Sequence, residues 1–145
     1  MNMGKRYGFK QDGDKFVLSI NNHEEIMSVL AEFCQDLGIL CGEVSGLGAV
    51  NTATLRFLNP ETKRYVDKTF DEQMEISSLV GNISAKDGKV YLHVHVNLGR
   101  SDYSVIGGHL LCCTINGACE LIVTRFHCQV DRRLDEETGL NLYDF

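Results

Sequence analysis

The chain lacks any apolar run approaching the ~20 residues that a membrane-spanning helix requires. Its first residues, Met1 to Tyr7, also lack the apolar stretch of a secretory signal peptide. These two absences argue against a membrane-spanning or secreted protein. We therefore expect a cytoplasmic protein without a membrane partner.

The sequence also lacks an excess of basic residues. Lysines and arginines number 14 against 20 acidic residues, which gives a formal net charge of −6, and they are scattered rather than clustered. DNA-binding proteins draw much of their affinity from cations that neutralise phosphates. Direct DNA binding is therefore disfavoured, although it stays open as a hypothesis.

Several catalytic and cofactor motifs are absent as well. There is no P-loop with its lysine and no nucleophile elbow. The six cysteines form no C-x-x-C motif, so we expect reduced thiols that pack as small apolar side chains. Residues 42–50 contain Gly-Leu-Gly without the spacing of a dinucleotide-binding fingerprint. Their glycines are expected to permit a bulge or a close contact between strands.

The chain does have the composition of a globular domain. It has 145 residues, of which 43% are hydrophobic and 23% charged, enough for one domain with a buried core. We predict a single domain over residues 1–145, with its core at about 5–130. Residues 131–145 are expected to be a loose C-terminal tail or a capping segment.

One principal helix is predicted after residue 22. Asn22 is a candidate N-cap, with Glu25 at the capping-box spacing, and Gly38 is a natural residue to follow the last turn. The apolar residues between them recur at helical spacing on one face: Ile26, Val29, Leu30, Phe33 and Leu37. We expect this face to pack on a sheet.

The rest of the chain predicts β-strands. Residues 6–10 and 15–20 predict a hairpin, Asn116-Gly117 is a strong signal for another, and a short helix is expected at 71–74. The other predicted strands are 39–47, 52–58, 65–70, 75–83, 89–98, 110–115 and 119–130. Together they predict an α+β domain with a mainly antiparallel sheet of about seven strands.

A sheet of this size has more apolar surface than one helix can cover. Ile76, Leu79 and Val80, for example, stand close together and place apolar side chains on both faces of one strand. Uncovered apolar sheet surface favours a homo-oligomer that buries it between subunits.

The strand at residues 90–98 contains the clearest candidate for chemistry. Its odd positions, Tyr91, His93, His95 and Asn97, share one face, and its even positions are all apolar. Side chains two residues apart on such a face are roughly 6.5–7 Å apart at the backbone. Their imidazoles can therefore converge on one metal ion at about 2.0–2.1 Å from each nitrogen. Two half-exposed histidines without a metal are the alternative.

His109 is the third candidate ligand. It follows Gly107-Gly108, a pair that lets the backbone approach a neighbouring strand closely. Three neutral imidazoles suit zinc, nickel, copper or iron rather than magnesium or calcium, and zinc is the favoured ion.

A fourth ligand could be water, an anion or a nearby side chain. Glu43 and Asp102 are candidates for that ligand or for a group that orients bound water, and Asn97 is a third candidate. His23 and His127 stand apart from the other histidines in the sequence and are expected to be structural.

Four runs stand in an order and spacing that resemble the PPC domain (plant and prokaryote conserved domain): residues 46–50, 75–83, 92–96 and 107–110. The resemblance covers about residues 5–130. It implies a compact fold with a mainly antiparallel sheet that assembles as a trimer. In plants such domains accompany AT-hook DNA-binding motifs, and stand-alone prokaryotic members are commonly labelled DNA-binding by that association.

The histidines of the prokaryotic pattern are present here as His93, His95 and His109, whereas the Arg-Gly-Arg-Pro core of an AT-hook is absent. Three hypotheses follow. The first is a trimeric metal-binding module with a regulatory or small-ligand-binding role. The second is a DNA-associated protein. The third is a metal-dependent enzyme acting on a small anionic substrate, in which Glu43 or Asp102 would orient the attacking water.

Overall fold

The structure, a computed structural model, describes residues 5–145; Met1 to Gly4, part of the N-terminal stretch considered above, lie outside it. The described residues form one helix, α1 (Ile26–Leu37), and nine strands of one sheet. The strands are β1 (Tyr7–Asp12), β2 (Lys15–Ile20), β3 (Gly42–Asn59), β4 (Arg64–Phe70), β5 (Met74–Lys86), β6 (Lys89–Gly99), β7 (Val105–Arg125), β8 (Asp131–Leu134) and β9 (Asn141–Asp144). The α+β class, the mainly antiparallel sheet and the single principal helix are confirmed, with nine strands in place of about seven.

The two longest strands, β3 and β7, organise the sheet. They pair antiparallel from Gly42–Arg125 to Arg56–His109. The other edge of β3 pairs with β5 and then with β4, and the other edge of β7 pairs with β2 and β6. Because β5 also pairs with β6, the strands β3, β5, β6 and β7 form a closed circuit of pairings. A sheet closed in this way must curl around one of its faces.

Two glycines of β3 permit its close approach to β7. A Cβ on Gly46 would lie 2.4 Å from the carbonyl oxygen of Glu120, and a Cβ on Gly48 would lie 2.4 Å from that of Ala118. The pairing with β5 shifts register between the same two glycines. The predicted bulge and close strand contact in this segment are therefore confirmed.

Helix α1 covers one face of the sheet with its apolar side. Ile26, Val29, Leu30 and Phe33 are fully buried, in one cluster with apolar side chains of the sheet, such as those at the even positions of β6. Helix α1 does not cover the other face of the sheet. Helix α1 has 12 residues, and no helix among residues 5–145 is long and apolar enough to cross a membrane.

The helix begins differently from the prediction. Glu25, and not Asn22, is the N-cap: its carboxylate accepts hydrogen bonds from the backbone N–H of Met27 at 2.8 Å and of Ser28 at 2.9 Å. The side-chain oxygen of Asn22 instead accepts the N–H of Gly117, 95 residues away, at 2.9 Å. A tertiary contact thus takes the side chain that local spacing assigned to the cap. Gly38 ends the helix with φ 66°, as predicted.

The predicted hairpin at Asn116-Gly117 is wrong. Strand β7 continues through both residues, and its pairing with β3 passes from Gly48–Cys119 to Val50–Ile115, so that three residues of β7 oppose one of β3. The physical reason is that the extra residues are accommodated as a bulge. Its polar groups are satisfied by other elements rather than by a turn, as in the bond from Gly117 to Asn22.

Residues 71–74 do not form the expected short helix. Asp71 and Gln73 lie in the connection before β5, where Asp71 accepts a hydrogen bond from Thr52 and Gln73 exchanges hydrogen bonds with Asn116. These side chains tie the connection to β3 and β7, and β5 begins immediately at Met74.

The C-terminal segment forms a hairpin of β8 and β9. It joins the sheet where Asp131 pairs parallel with Ala85 of β5, and the N–H of Ala85 donates to the carbonyl of Val130 at 2.9 Å. The six cysteines are free thiols, and the sulfur atoms of Cys41 and Cys128 lie 3.5 Å apart.

We expect Glu25→Ala to lower the free energy of unfolding by about 1–3 kcal/mol, because helix caps and buried hydrogen bonds contribute free energies of that order. The substitution removes the helix cap and also leaves the N–H of Cys113 on β7 without the carboxylate that accepts it at 3.1 Å. Denaturant unfolding would measure the change. Glu61→Ala, at an exposed turn, is the control, and equal stabilities of the two variants would contradict the prediction.

Candidate metal centre

Strand β6 places two histidines on the face of the sheet that α1 does not cover. Val94, Val96 and Leu98 of β6 are buried in the core, so the alternation predicted from the sequence is confirmed. His93 and His95 point to the opposite face because successive side chains of a strand alternate.

His109 joins them through the pairing of β6 with β7. It stands directly opposite His95 in the antiparallel ladder, and opposite residues share a face of the sheet. Gly107 permits this pairing, since a Cβ there would lie 2.7 Å from the carbonyl oxygen of Val96 and 2.6 Å from the side-chain oxygen of Asn97.

The three imidazoles form a compact cluster. Their candidate ligand nitrogens all lie within 4.8 Å of one another, and the Nε2 atoms of His93 and His95 are 3.2 Å apart. Ring centroids are separated by 5.1 to 5.4 Å. Nitrogens bound to one tetrahedral ion at about 2.0–2.1 Å are themselves about 3.3–3.4 Å apart. Small side-chain rotations therefore suffice to bring all three nitrogens onto one ion, and the cluster fits a transition metal.

The surroundings of the cluster favour neutral imidazoles. The pKa of His109 is lowered to about 4, chiefly by burial. The charges of His93, His95 and Arg56 lower it further, and the carboxylate of Asp67 raises it by a smaller amount. The pKa of His93 is also lowered, by burial and then by His95 and Arg132. Metal binding requires the neutral form of histidine, so no proton has to be displaced from these two rings near neutral pH.

The structure places two of the three further candidates, Glu43 and Asn97, near the histidine cluster, and the third, Asp102, away from it. Glu43 lines a cavity of about 320 Å³ that His93 and His95 also line. The amide of Asn97, two residues from His95 on the same strand face, donates to the hydroxyl of Ser78 at 2.9 Å. Asp102 lies in the turn beyond the Gly99–Val105 pair, where it accepts hydrogen bonds from Ser104. It lines neither this cavity nor the larger one next to it.

That larger cavity, of about 530 Å³, contains residues that sequence reasoning missed. Arg56 lines it, with its guanidinium bound to Asp67 and stacked over Tyr65 at 4.5 Å. Arg132 enters from the C-terminal hairpin. The complete lining is Arg56, Phe57, Leu58, Tyr65, Tyr91, His93, His95, Gly107, Gly108, His109, Arg132, Leu140, Asn141 and Leu142. No local pattern links residues 131–145 to the histidines, because only the fold of the hairpin brings them there.

The family model of the Plants and Prokaryotes Conserved (PCC) domain matches residues 7–127. No curated protein sequence matches the chain significantly.

Solved structures similar to this chain extend over nearly its whole length. A Bacteroides thetaiotaomicron protein, provisionally described as DNA-binding, is 51% identical, with a TM-score of 0.95 over 97% of this chain and 98% of that one. A protein from Archaeoglobus fulgidus, described as metal-containing, is 36% identical, with a TM-score of 0.86 over 95% and 99%. A plant- and prokaryote-conserved (PPC) protein from Pyrococcus horikoshii is 25% identical, with a TM-score of 0.84 over 96% and 94%.

We expect Gly107→Val to destabilise the protein by about 1–3 kcal/mol, the usual cost of overpacking. The new side chain would meet the backbone of β6 and force β7 away from the His95–His109 pair. Denaturant unfolding of the variant measures the effect. Gly8→Val on β1 is the matched control, since a Cβ on Gly8 has no neighbour within 4 Å among the described residues. A similar cost for both variants would refute the close approach.

Proposed function

The chain belongs to the Plants and Prokaryotes Conserved domain family, and we propose that it is a trimeric zinc-binding module. In this proposal His93, His95 and His109 hold the ion, and the neighbouring cavity gives the module a regulatory or small-ligand-binding role. The observation that carries the proposal is the convergence of three imidazoles, from two paired strands, within 4.8 Å at the wall of a cavity.

Zinc fits the donor set better than a hard cation. Three neutral nitrogens are the ligands that zinc, nickel, copper and iron prefer, whereas magnesium and calcium prefer oxygen. Three protein ligands also leave a tetrahedral ion with one open position. A similar solved structure, from Archaeoglobus fulgidus, is described as metal-containing, which supports a metal without indicating which one.

When bound, zinc would supply a Lewis-acid position at the cavity wall for water or an anionic ligand. Glu43 and Asn97 are the proposed neighbours of that position, because Glu43 shares a cavity with His93 and His95 and Asn97 follows His95 on the same strand face. Asp102 is the weakest of the three candidates, since its carboxylate is already bound by Ser104 in a distant turn.

An apolar row across the uncovered face of the sheet supports assembly. Val17 pairs with Ile122, which pairs with Ser45, then Val80, and the row ends at His95 and His109. Val17 and Val80 are each 57% exposed and Ile122 is 39% exposed. Clustered exposed apolar side chains are typical of an interface, so we propose that subunits of the trimer pack along this row, in which Ser45 is the polar residue between Ile122 and Val80.

A DNA-associated role is the alternative, favoured by the description of the Bacteroides thetaiotaomicron protein. The formal net charge of −6 opposes it, because affinity for duplex DNA comes largely from cations at phosphates. A complex of that kind weakens steeply as salt rises, which is the property that a titration with duplex DNA would test.

We expect tag-free protein to contain near-stoichiometric zinc, and His93→Ala and His109→Ala each to lose it, because two imidazoles hold the ion far more weakly than three. Metal content by elemental mass spectrometry is the measurement, and it also detects nickel, copper and iron. His127→Ala is the matched control, since His127 binds Asp14 away from the cluster.

Two results would overturn the zinc site. One is wild-type protein that takes up no transition metal even after incubation with each ion. The other is metal content that is unchanged in both histidine variants. Either result would leave assembly or DNA-linked regulation as the better account of the protein.

We expect light scattering to give a mass of three times the 16.2 kDa of one chain, and Val80→Glu to lower it. A carboxylate at this position would be buried without a partner in the proposed interface. Val66→Glu, at a 62% exposed position of β4 outside the apolar row, should leave the mass unchanged. A wild-type mass near 16.2 kDa at micromolar concentration would contradict the trimer.

A further inference from the structure

The C-terminal hairpin holds one arginine in a fixed position beside the histidines. The Arg132 guanidinium donates from Nε to the hydroxyl of Ser84 at 2.7 Å and from Nη1 to the carbonyl of Asn141 at 2.8 Å. It also stacks over the rings of Tyr91 at 4.7 Å and Tyr143 at 4.5 Å. Four groups from β5, β6 and β9 therefore orient this side chain, and Ser84 is fully buried.

The charge of Arg132 lacks a carboxylate partner within residues 5–145. The arginines that form ion pairs within 4.0 Å there are Arg6, Arg56, Arg100, Arg125 and Arg133. The Nη2 atom of Arg132 also has no protein acceptor in this part of the chain. Holding a partly buried cation in place without a counter-charge is costly, and guanidinium groups in such positions are typical binders of anions.

The cavity next to Arg132 has room for a small organic molecule and not only for a small anion. Its volume of about 530 Å³ lies within the usual range for small-molecule sites, roughly 300–1,000 Å³. Phe57, Leu58, Leu140 and Leu142 line it together with the histidines. Phe57 is 73% exposed and Leu142 is 41% exposed, so apolar surface faces the opening and could cover an apolar group.

We propose that this cavity binds an organic monocarboxylate. Its carboxylate accepts hydrogen bonds from Arg132, and its apolar body lies against Phe57, Leu58, Leu140 and Leu142. A single negative charge fits because Arg132 is the one unpaired cation among the residues that line the cavity, whereas Arg56 is neutralised by Asp67. The inference rests on the proposed function for the neighbouring ion: three neutral imidazoles bring zinc no negative charge, so an anion would balance the centre.

The test compares an acid with its neutral isostere. Calorimetry on the zinc-loaded protein would measure the binding of 3-phenylpropanoate and of 3-phenylpropanamide, which have the same shape and apolar body. We expect the acid to bind at least about tenfold more tightly, because hydrogen bonds to charged groups are worth that factor or more.

Two variants identify the cation responsible. Arg132→Gln should remove the preference for the acid. Arg133→Gln should retain it, because Arg133 is the next residue of β8, exposed, and paired with Asp144. The acid–amide comparison in the wild type keeps the proposal falsifiable if Arg132→Gln fails to fold, since Arg132 also ties the hairpin to the sheet.

The proposal is overturned if neither probe binds at millimolar concentration, if acid and amide bind equally, or if Arg132→Gln folds and retains the preference. Zinc content is measured on the same samples, and the comparison is repeated on chelator-treated protein. Absence of zinc with a retained, Arg132-dependent preference would refute the zinc site alone. Stoichiometric zinc without any preference would refute the carboxylate site alone.

Discussion

The close approach of β3 to β7 requires positions on β3 that carry no side chain, and the position of the candidate centre depends on this pairing. At Gly46 and Gly48 the carbonyl oxygens of Glu120 and Ala118 occupy the space of a Cβ. The resulting ladder leaves the far edge of β7 free to pair with β6, with Gly107 permitting a second close contact. His109 stands opposite His95 because both contacts are satisfied at once.

A centre built in this way is held by strands rather than by loops. The three imidazoles come from two neighbouring strands that pair from Gly99–Val105 to His95–His109, so the spacing of His109 from the β6 histidines is determined by the register of the sheet. Burial and neighbouring cations lower the pKa of His109 to about 4, which keeps the ring neutral and ready to bind a metal. Arg132, whose charge also lowers the pKa of His93, places an unpaired positive charge beside the cluster, and this links the proposed zinc to the proposed anionic ligand.

Local sequence patterns correctly predicted the elements that depend on residues close together in the chain. The alternation of β6, the apolar face of α1 and the left-handed Gly38 depend on residues near one another in the chain, and each was correct. Asn22 and Asn116-Gly117 have equally good local patterns for a cap and a turn, but they bond to each other across 95 residues. A tertiary contact outweighs local preference there, because the side chain of Asn22 bonds the backbone of β7 instead of capping the helix.

The sequence by itself therefore determined the class of the fold, the shared face of His93 and His95, and the choice of His109 as a candidate ligand. Strand periodicity and donor chemistry are properties of residue type and spacing, which the chain displays directly. Only the tertiary structure decided that His109 stands opposite His95 and that Arg132 enters the same cavity from residues that resembled a tail. The physical reason is that strand register and the docking of a hairpin arise from contacts between distant segments, which local spacing does not specify.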